Sequence, residues 1–183
     1  MSKLQQALIE QKILVLDGGM GSQLAARGLD ISAIDHNLLN PDTVLAVHQD
    51  YIAAGADCLL TNTLTLNEVY RAKKGSTVDL AAANLAGARL ARKAAGHKIV
   101  LGDIGPTGQM LKPLGNGDAD EYYAAYQAQA RALTAGGVDG FLIETVFDLA
   151  EAIIALKACL SVSSLPVLVS LTFSTLKKGG RTV

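Results

Sequence analysis

Five short apolar runs punctuate the chain, and none of them alternates apolar with polar residues. They are ILVLD ending at Asp17, DCLLTNT ending at Thr63, KIVLGD ending at Asp103, DGFLIET ending at Thr145 and LPVLVSLTF ending at Phe173. A strand with one wet face alternates, whereas a continuous run is buried on both faces, as in a parallel sheet. Parallel strands need long crossovers, and the segments between the runs are helical in pattern.

Residues 41–54 place Pro41 at the first helical position, with Asn40 as a candidate N-cap and Gly55 as the stop. Val44, Val47 and Tyr51 share one face. Residues 78–95 close at Gly96, and residues 119–135 close at Gly136 and Gly137. Residues 148–160 start at Asp148, a second candidate N-cap. Strand ends recur about every 40 residues and then at a shorter interval, as βα units with long loops would. No linker, charge block or low-complexity stretch interrupts residues 1–183, so a single domain is expected. The glycines of DGGMGSQL do not match GxGxxG, which favours a (βα) barrel over a doubly wound nucleotide-binding sheet. The expected class is therefore α/β, of (βα)8 TIM-barrel type, present in part with about five strands.

The 183 residues are 50% hydrophobic and 18% charged, with a net charge of −1. That balance offers no electrostatic reason to expect nucleic acid or an anionic membrane as partner. The N-terminal MSKLQQALIEQK is too polar for a signal peptide, and no apolar run reaches about 18 residues. A cytoplasmic protein is expected. Cys58 and Cys159 stand far apart without CxxC or CxxH spacing, so no metal site is read locally and both are expected to be buried small hydrophobes.

The chemistry gathers at the strand ends. Asp17 ends the first run, Asn62 and Thr63 the second, Asp103 the third, Glu144 and Thr145 the fourth, and Ser170 and Thr172 the fifth. In a barrel these ends share one face, where active sites are built. Carboxylates so deep in apolar strands are costly to bury unpaired. Three of them at one mouth suit a cationic ligand group such as an α-amino group. Gly18 and Gly19 would let the backbone turn sharply and approach a ligand, and GDIGPTGQ repeats that pattern after the third run. His48 and His97 are expected to be structural, while His36 lies in the long loop where it could reach the mouth. Tyr122, Tyr123 and Tyr126 read as helix packing, and the terminal LKKGGRTV as a solvated turn.

Four of these segments together resemble a known family. ILVLDGGMGSQL, NPDTVLAVHQDYIAAGADCLLTNTLT, VLGDIGPTGQMLKPLG and AGGVDGFLIETVFDLAEAIIALKA, in that order, look like the homocysteine S-methyltransferases. These include the homocysteine-binding module of cobalamin-dependent methionine synthase and betaine–homocysteine methyltransferase. The resemblance runs from about residue 12 to residue 175. It implies a (βα)8 barrel and methyl transfer to the thiol of homocysteine, giving methionine. It also implies a zinc ion that holds the thiol as thiolate, the nucleophilic form. Asp17 and Glu144 match positions of the family's homocysteine site and would suit its amino group. Gly18, Gly19, Asn62, Thr63 and Asp103 match positions lining the same mouth.

The departures are as informative. The family's zinc ligands are cysteines in an Asn-Cys motif and a Cys-Cys pair, neither of which occurs here, and Cys58 and Cys159 stand elsewhere. The resemblance implies that those ligand cysteines would lie beyond Val183, whether or not Val183 is a natural terminus. Leu64 replaces the Phe that usually follows TNT. The expectation is the N-terminal portion of one homocysteine-binding barrel, catalytically inactive by itself. Its partners would be the rest of the barrel, other methionine synthase domains or a second chain. Methylcobalamin, betaine and S-methylmethionine all remain open as methyl donors. Two alternatives stand beside this reading: a non-catalytic amino-acid-binding half-barrel, and a different (βα) enzyme using the strand-end carboxylates as acid and base.

Overall fold

The computed structural model describes residues 3–10, 12–176 and 179–181. The helices are α1 (Lys3–Ile9), α2 (Met20–Ala26), α3 (His36–Leu39), α4 (Pro41–Ala53), α5 (Glu68–Lys74), α6 (Leu80–Ala95), α7 (Ala119–Ala135) and α8 (Leu149–Val162). The strands are β1 (Cys58–Leu60), β2 (Ile99–Ile104), β3 (Gly140–Val146), β4 (Val167–Leu171), β5 (Ser174–Leu176) and β6 (Gly179–Arg181). Strands β1 to β4 form one parallel sheet in that order, with α6, α7 and α8 in the crossovers. This is the α/β arrangement of a barrel present in part.

The pleat sorts the strand residues onto two faces. Leu59, Val100, Phe141 and Ile143 face the helices and pack with Ala88, Ala91, Tyr126, Leu133 and Ala155. Each fully buried Leu, Ile or Phe contributes about 1.5–3 kcal/mol relative to exposure. Cys58, Ile99, Leu101 and Leu142 face the other way and meet Leu4 and Ala7 of α1. Leu4 approaches Gly140 at the start of β3, and Lys3 donates to the His97 carbonyl before β2. Helix α1 thus covers the N-terminal ends of the strands and leaves the C-terminal ends to the long loops.

Several sequence expectations are corrected. The first run, 13–17, lies parallel to β1 but makes only one ladder pair, Leu16 with Cys58. Val15 and Asp17 add backbone bonds to Asp57 and Cys58. Its outer side meets no strand among the described residues, and Ile13 is 91% exposed. The last run shortens to β4, whose pattern is partly exposed rather than doubly buried, because it too is an edge. Asn40 precedes α4 but does not cap it, since its side chain contacts the His36 ring instead. Of LKKGGRTV, read as a solvated turn, Leu176 ends β5 and Gly179–Arg181 form β6, and the two strands pair antiparallel. Its other residues lie outside the described ones, and Val183, the residue beyond which the zinc-ligand cysteines are expected, is among them. Asp148 does cap α8, accepting from the Ala150 N–H.

His48 is fully buried in α4 with neither ring nitrogen partnered. Burial holds its pKa down to about 4. A base with a depressed folded pKa gives stability that is present above its unfolded pKa, near 6.5, and lost as pH falls through 4. His48→Leu is therefore expected to change stability little at pH 7. At pH 5 it should be more stable than the parent by about 2 kcal/mol. Denaturant unfolding at the two pH values reads this difference, and an equal difference at both contradicts it.

Candidate functional site

Parallel register brings the strand ends to one level. Asp103 of β2 pairs with Leu142 of β3, so Glu144 lies one pleat further along. Asp17 follows the first run and is tied to β1 by a hydrogen bond from the Leu60 N–H to its Oδ2, 3.0 Å. All three carboxylates line one pocket of about 570 Å³ at the C-terminal side of the sheet. Gly18, Gly19, Asn62 and Thr63 line it as well, as do His36, Tyr70 and Lys74. Ser170 and Thr172 do not line it.

A closed hydrogen-bond cycle holds the floor. The Asp103 N–H donates to Thr61 Oγ1 (2.9 Å), and the Thr63 hydroxyl donates to the Asp103 carbonyl (2.7 Å). The two threonine hydroxyls are 2.5 Å apart. With the Thr63 proton spent on Asp103, Thr61 must donate to Thr63, so one proton arrangement satisfies the cycle. Gln129 of α7 donates to the Thr63 carbonyl. Beside it, the Asn62 and Asn37 amides bond each other, and Asn37 also donates to the carbonyls of Asn62 and Ala83. The Thr63 hydroxyl and the Asn62 amide N–H are therefore spent on the scaffold, and the carboxylates carry free acceptor atoms.

The third-run loop has its own anchor. Glu151 of α8 is buried and accepts from the Thr107 N–H (2.7 Å) and the Tyr126 hydroxyl (2.8 Å). Tyr126 also reaches the Gly105 carbonyl. Tyr122 and Tyr126 are fully buried. Gly18 serves a close approach, but to protein: a Cβ there would lie 2.8 Å from the Tyr51 hydroxyl oxygen. His36 lines the pocket with both ring nitrogens engaged, at Asn40 Oδ1 and the Asp30 carbonyl.

One device was not legible in LIETV. Pairing of β3 with β4 slips between Ile143 and Val146, and Thr145 has φ of 61°. A bulge re-aims the side chain beside it. A β-branched residue in the left-handed region is strained by about 1–3 kcal/mol. Here that strain sits next to Glu144. Thr145→Gly is expected to stabilise the protein by about 1 kcal/mol while weakening ligand binding, because Glu144 is held less firmly. Parallel unfolding and binding titrations check it, and loss of both stability and affinity contradicts it.

The electrostatics of the three acids are unusual. Burial raises the pKa of Asp17 to about 6, despite the Leu60 N–H, and the Glu144 charge adds to the rise. Asp103 is pushed well above the ordinary carboxylate range, first by burial and then by Glu144 and Asp17. Asp17 Oδ1 and Asp103 Oδ1 are buried without a partner. Among the described residues no Lys, Arg or His pairs with any of the three. A cation entering here would meet unspent acceptors.

A metal is a poorer match to the residues present. Among the described residues no three His, Cys, Asp or Glu are grouped to hold one. Both cysteines are buried as free thiols outside the pocket. Burial first raises Cys58 to about 11 and Cys159 to about 12, so neither offers a thiolate at neutral pH. These residues do not fit the zinc that the sequence resemblance implies.

A parallel βα sheet with its polar groups at the strand C-termini is the layout of a TIM-barrel enzyme. The family is more specific: residues 14–183 match the homocysteine S-methyltransferase family, and the chain belongs to it. It is thereby a member of a methyltransferase family. Among solved structures, the metallated form of the homocysteine methyltransferase MmuM from Escherichia coli superposes with a TM-score of 0.80 at 23% identity, covering 97% of this chain and 70% of that one. Its oxidized form gives 0.75 at 25% identity over 88% and 63%. The apo form gives 0.72 at 26% over 95% and 66%. The chain thus spans between 63% and 70% of the length of these relatives. No described helix is long and apolar enough to cross a membrane.

Proposed function

We propose that this chain is the amino-acid-binding portion of a homocysteine S-methyltransferase barrel, whose reaction transfers a methyl group to the homocysteine thiol and yields methionine. The observation that carries the reading is the convergence of Asp17, Asp103 and Glu144, with two unpartnered buried oxygens, on the pocket at the strand C-termini. Family membership supplies the reaction class.

In this reading Asp17 and Glu144 grip the substrate's ammonium group with charge-assisted hydrogen bonds. Asp103 completes the negative floor, and the threonine cycle and the Asn37–Asn62 pair keep that floor rigid. Gly18 and Gly19 carry the backbone past the amino-acid end. Fixing that end orients the thiol, which is the part of the rate enhancement that positioning supplies. Thiol activation and the methyl donor come from outside these residues, so the 183-residue chain by itself is expected to form no methionine. Zinc-dependent turnover by that purified chain contradicts this last point. The broader test is methionine formation from L-homocysteine by the full-length protein, supplied in turn with S-methylmethionine, betaine and methylcobalamin. Product with one donor identifies that donor. Absence of product with all three argues against the reading.

One observation favours a second reading. A carboxyl pKa raised to about 6, as at Asp17, suits a general acid or base. A (βα) enzyme of that kind would lose turnover on Asp17→Asn without losing substrate affinity. A binding role loses affinity first.

A further inference from the structure

Three carboxylates outnumber the single ammonium they are proposed to hold. Asp103 is 6% exposed, lines the pocket, and has an Oδ1 without a partner. The groups that face it from the surrounding elements are Asp17 beside β1 and Glu144 on β3, both acidic. The basic side chains in the same pocket wall contact other groups. His36 is held by Asn40 and Asp30, and the Lys74 ammonium sits 5.7 Å over the Tyr70 ring. The Cys58 thiol on β1 is neutral. Asp103 is buried and Asp17 and Glu144 are half-buried, and three negative charges gathered there with no counter-cation are costly to sustain, so a proton supplies the balance. Asp103 and Glu144 stand diagonally on one face of adjacent strands and line the same pocket, so a proton held between them gives the orphaned oxygen its partner.

We propose that Asp103 is the proton-holding residue of the amino-acid site: it shares a proton with Glu144 until an ammonium group enters, and then releases that proton to solvent. The proposal rests on reading the pocket as an amino-acid site. The charge balance favours it. Three carboxylates with one proton carry the same net charge as three carboxylates with one ammonium, so the acidic floor and the cation it holds keep the same net charge when the ammonium replaces the proton. No bond in the ligand forms or breaks, and the proton passes to water or buffer.

Linkage turns this into a measurable sign. A ligand whose binding expels about one proton binds about tenfold tighter per pH unit of increase, over the range where the proton is otherwise held. L-Methionine is the suitable probe, because it carries the ammonium group but no thiol to contribute a proton of its own. The full-length protein is titrated calorimetrically with L-methionine at pH 7, in buffers of differing ionisation enthalpy. Asp17, at about 6, is mainly ionised there. The expected result is a buffer-dependent heat equal to release of about one proton, falling to less than half in Asp103→Asn. Should Asp103→Asn fail to fold, Glu144→Gln removes the partner in the shared proton and must lower the release as well. Binding without buffer dependence in the parent protein overturns the proposal and leaves the amino-acid reading standing. Unchanged proton release in Asp103→Asn does the same. No binding of either L-methionine or L-homocysteine between pH 6 and 8 overturns the reading and the proposal together.

Discussion

Asp17→Asn in the full-length protein is expected to weaken L-homocysteine binding by about 1–3 kcal/mol, the range for a lost charged hydrogen bond. Glu144→Gln should do the same. The double variant should cost less than the sum, because both groups face one ammonium. Stability should move the other way for Asp17. Its folded pKa is raised, so it destabilises the ligand-free fold above about pH 6 and ceases to as pH falls towards its unfolded value. The amide keeps the Leu60 N–H bond and discards the buried charge. Asp17→Asn should therefore melt at a higher temperature than the parent at pH 7 while binding more weakly. A variant that loses both stability and affinity would mark Asp17 as a scaffold residue.

The second large effect lies away from the carboxylates, at Glu151. Its Oε1 accepts from both the Thr107 N–H and the Tyr126 hydroxyl in a fully buried setting. Glu151→Ala strands the buried Thr107 N–H at about 1–3 kcal/mol, leaves the Tyr126 hydroxyl only the Gly105 carbonyl, and frees the loop that follows Asp103. Unfolding free energy should fall by about 2–4 kcal/mol. Glu151→Gln keeps one carbonyl oxygen able to accept both bonds and should cost about 1 kcal/mol. Equal losses in the two variants, measured by denaturant unfolding, would mean the charge and not the acceptor matters.

The sequence made the sheet legible because the signals that specify it are local. Continuous apolar runs from residue 98 to 145 became β2 and β3, and glycines after α4, α6 and α7 marked their ends. The edges were less legible. Runs 13–17 and 165–173 read as doubly buried strands, yet burial there depends on neighbours across the edge, which no local pattern reveals. The helices α1, α2, α3 and α5 were also missed. Each is short, and a seven-residue helix such as α5 is held by a cap, here Asn67 accepting from the Tyr70 N–H.

Within the site, the carboxylates stood out because acids are rare in apolar runs. Their division of labour from Asn62 and Thr63 did not, since only the geometry shows those side chains spent on Asn37 and on the Asp103 backbone. Glu151 and Asn37 gave no signal, being ordinary helix residues until packing brings them to the loops. The bulge at Thr145 was hidden for the same reason: its cause is the mismatch of β3 with β4, not the residues of LIETV.

The claim at the centre of this account is that the strand-end carboxylates hold a substrate ammonium group. Its most direct test compares the affinity of the full-length protein for L-homocysteine with that for 4-mercaptobutyrate, the same molecule without its amine, in parent and Asp17→Asn forms. The account predicts that removing the amine weakens binding at least as much as Asp17→Asn does. It also predicts that 4-mercaptobutyrate binds the two forms equally. Equal affinity of the parent for both ligands, or an equal loss for both on Asp17→Asn, would contradict it.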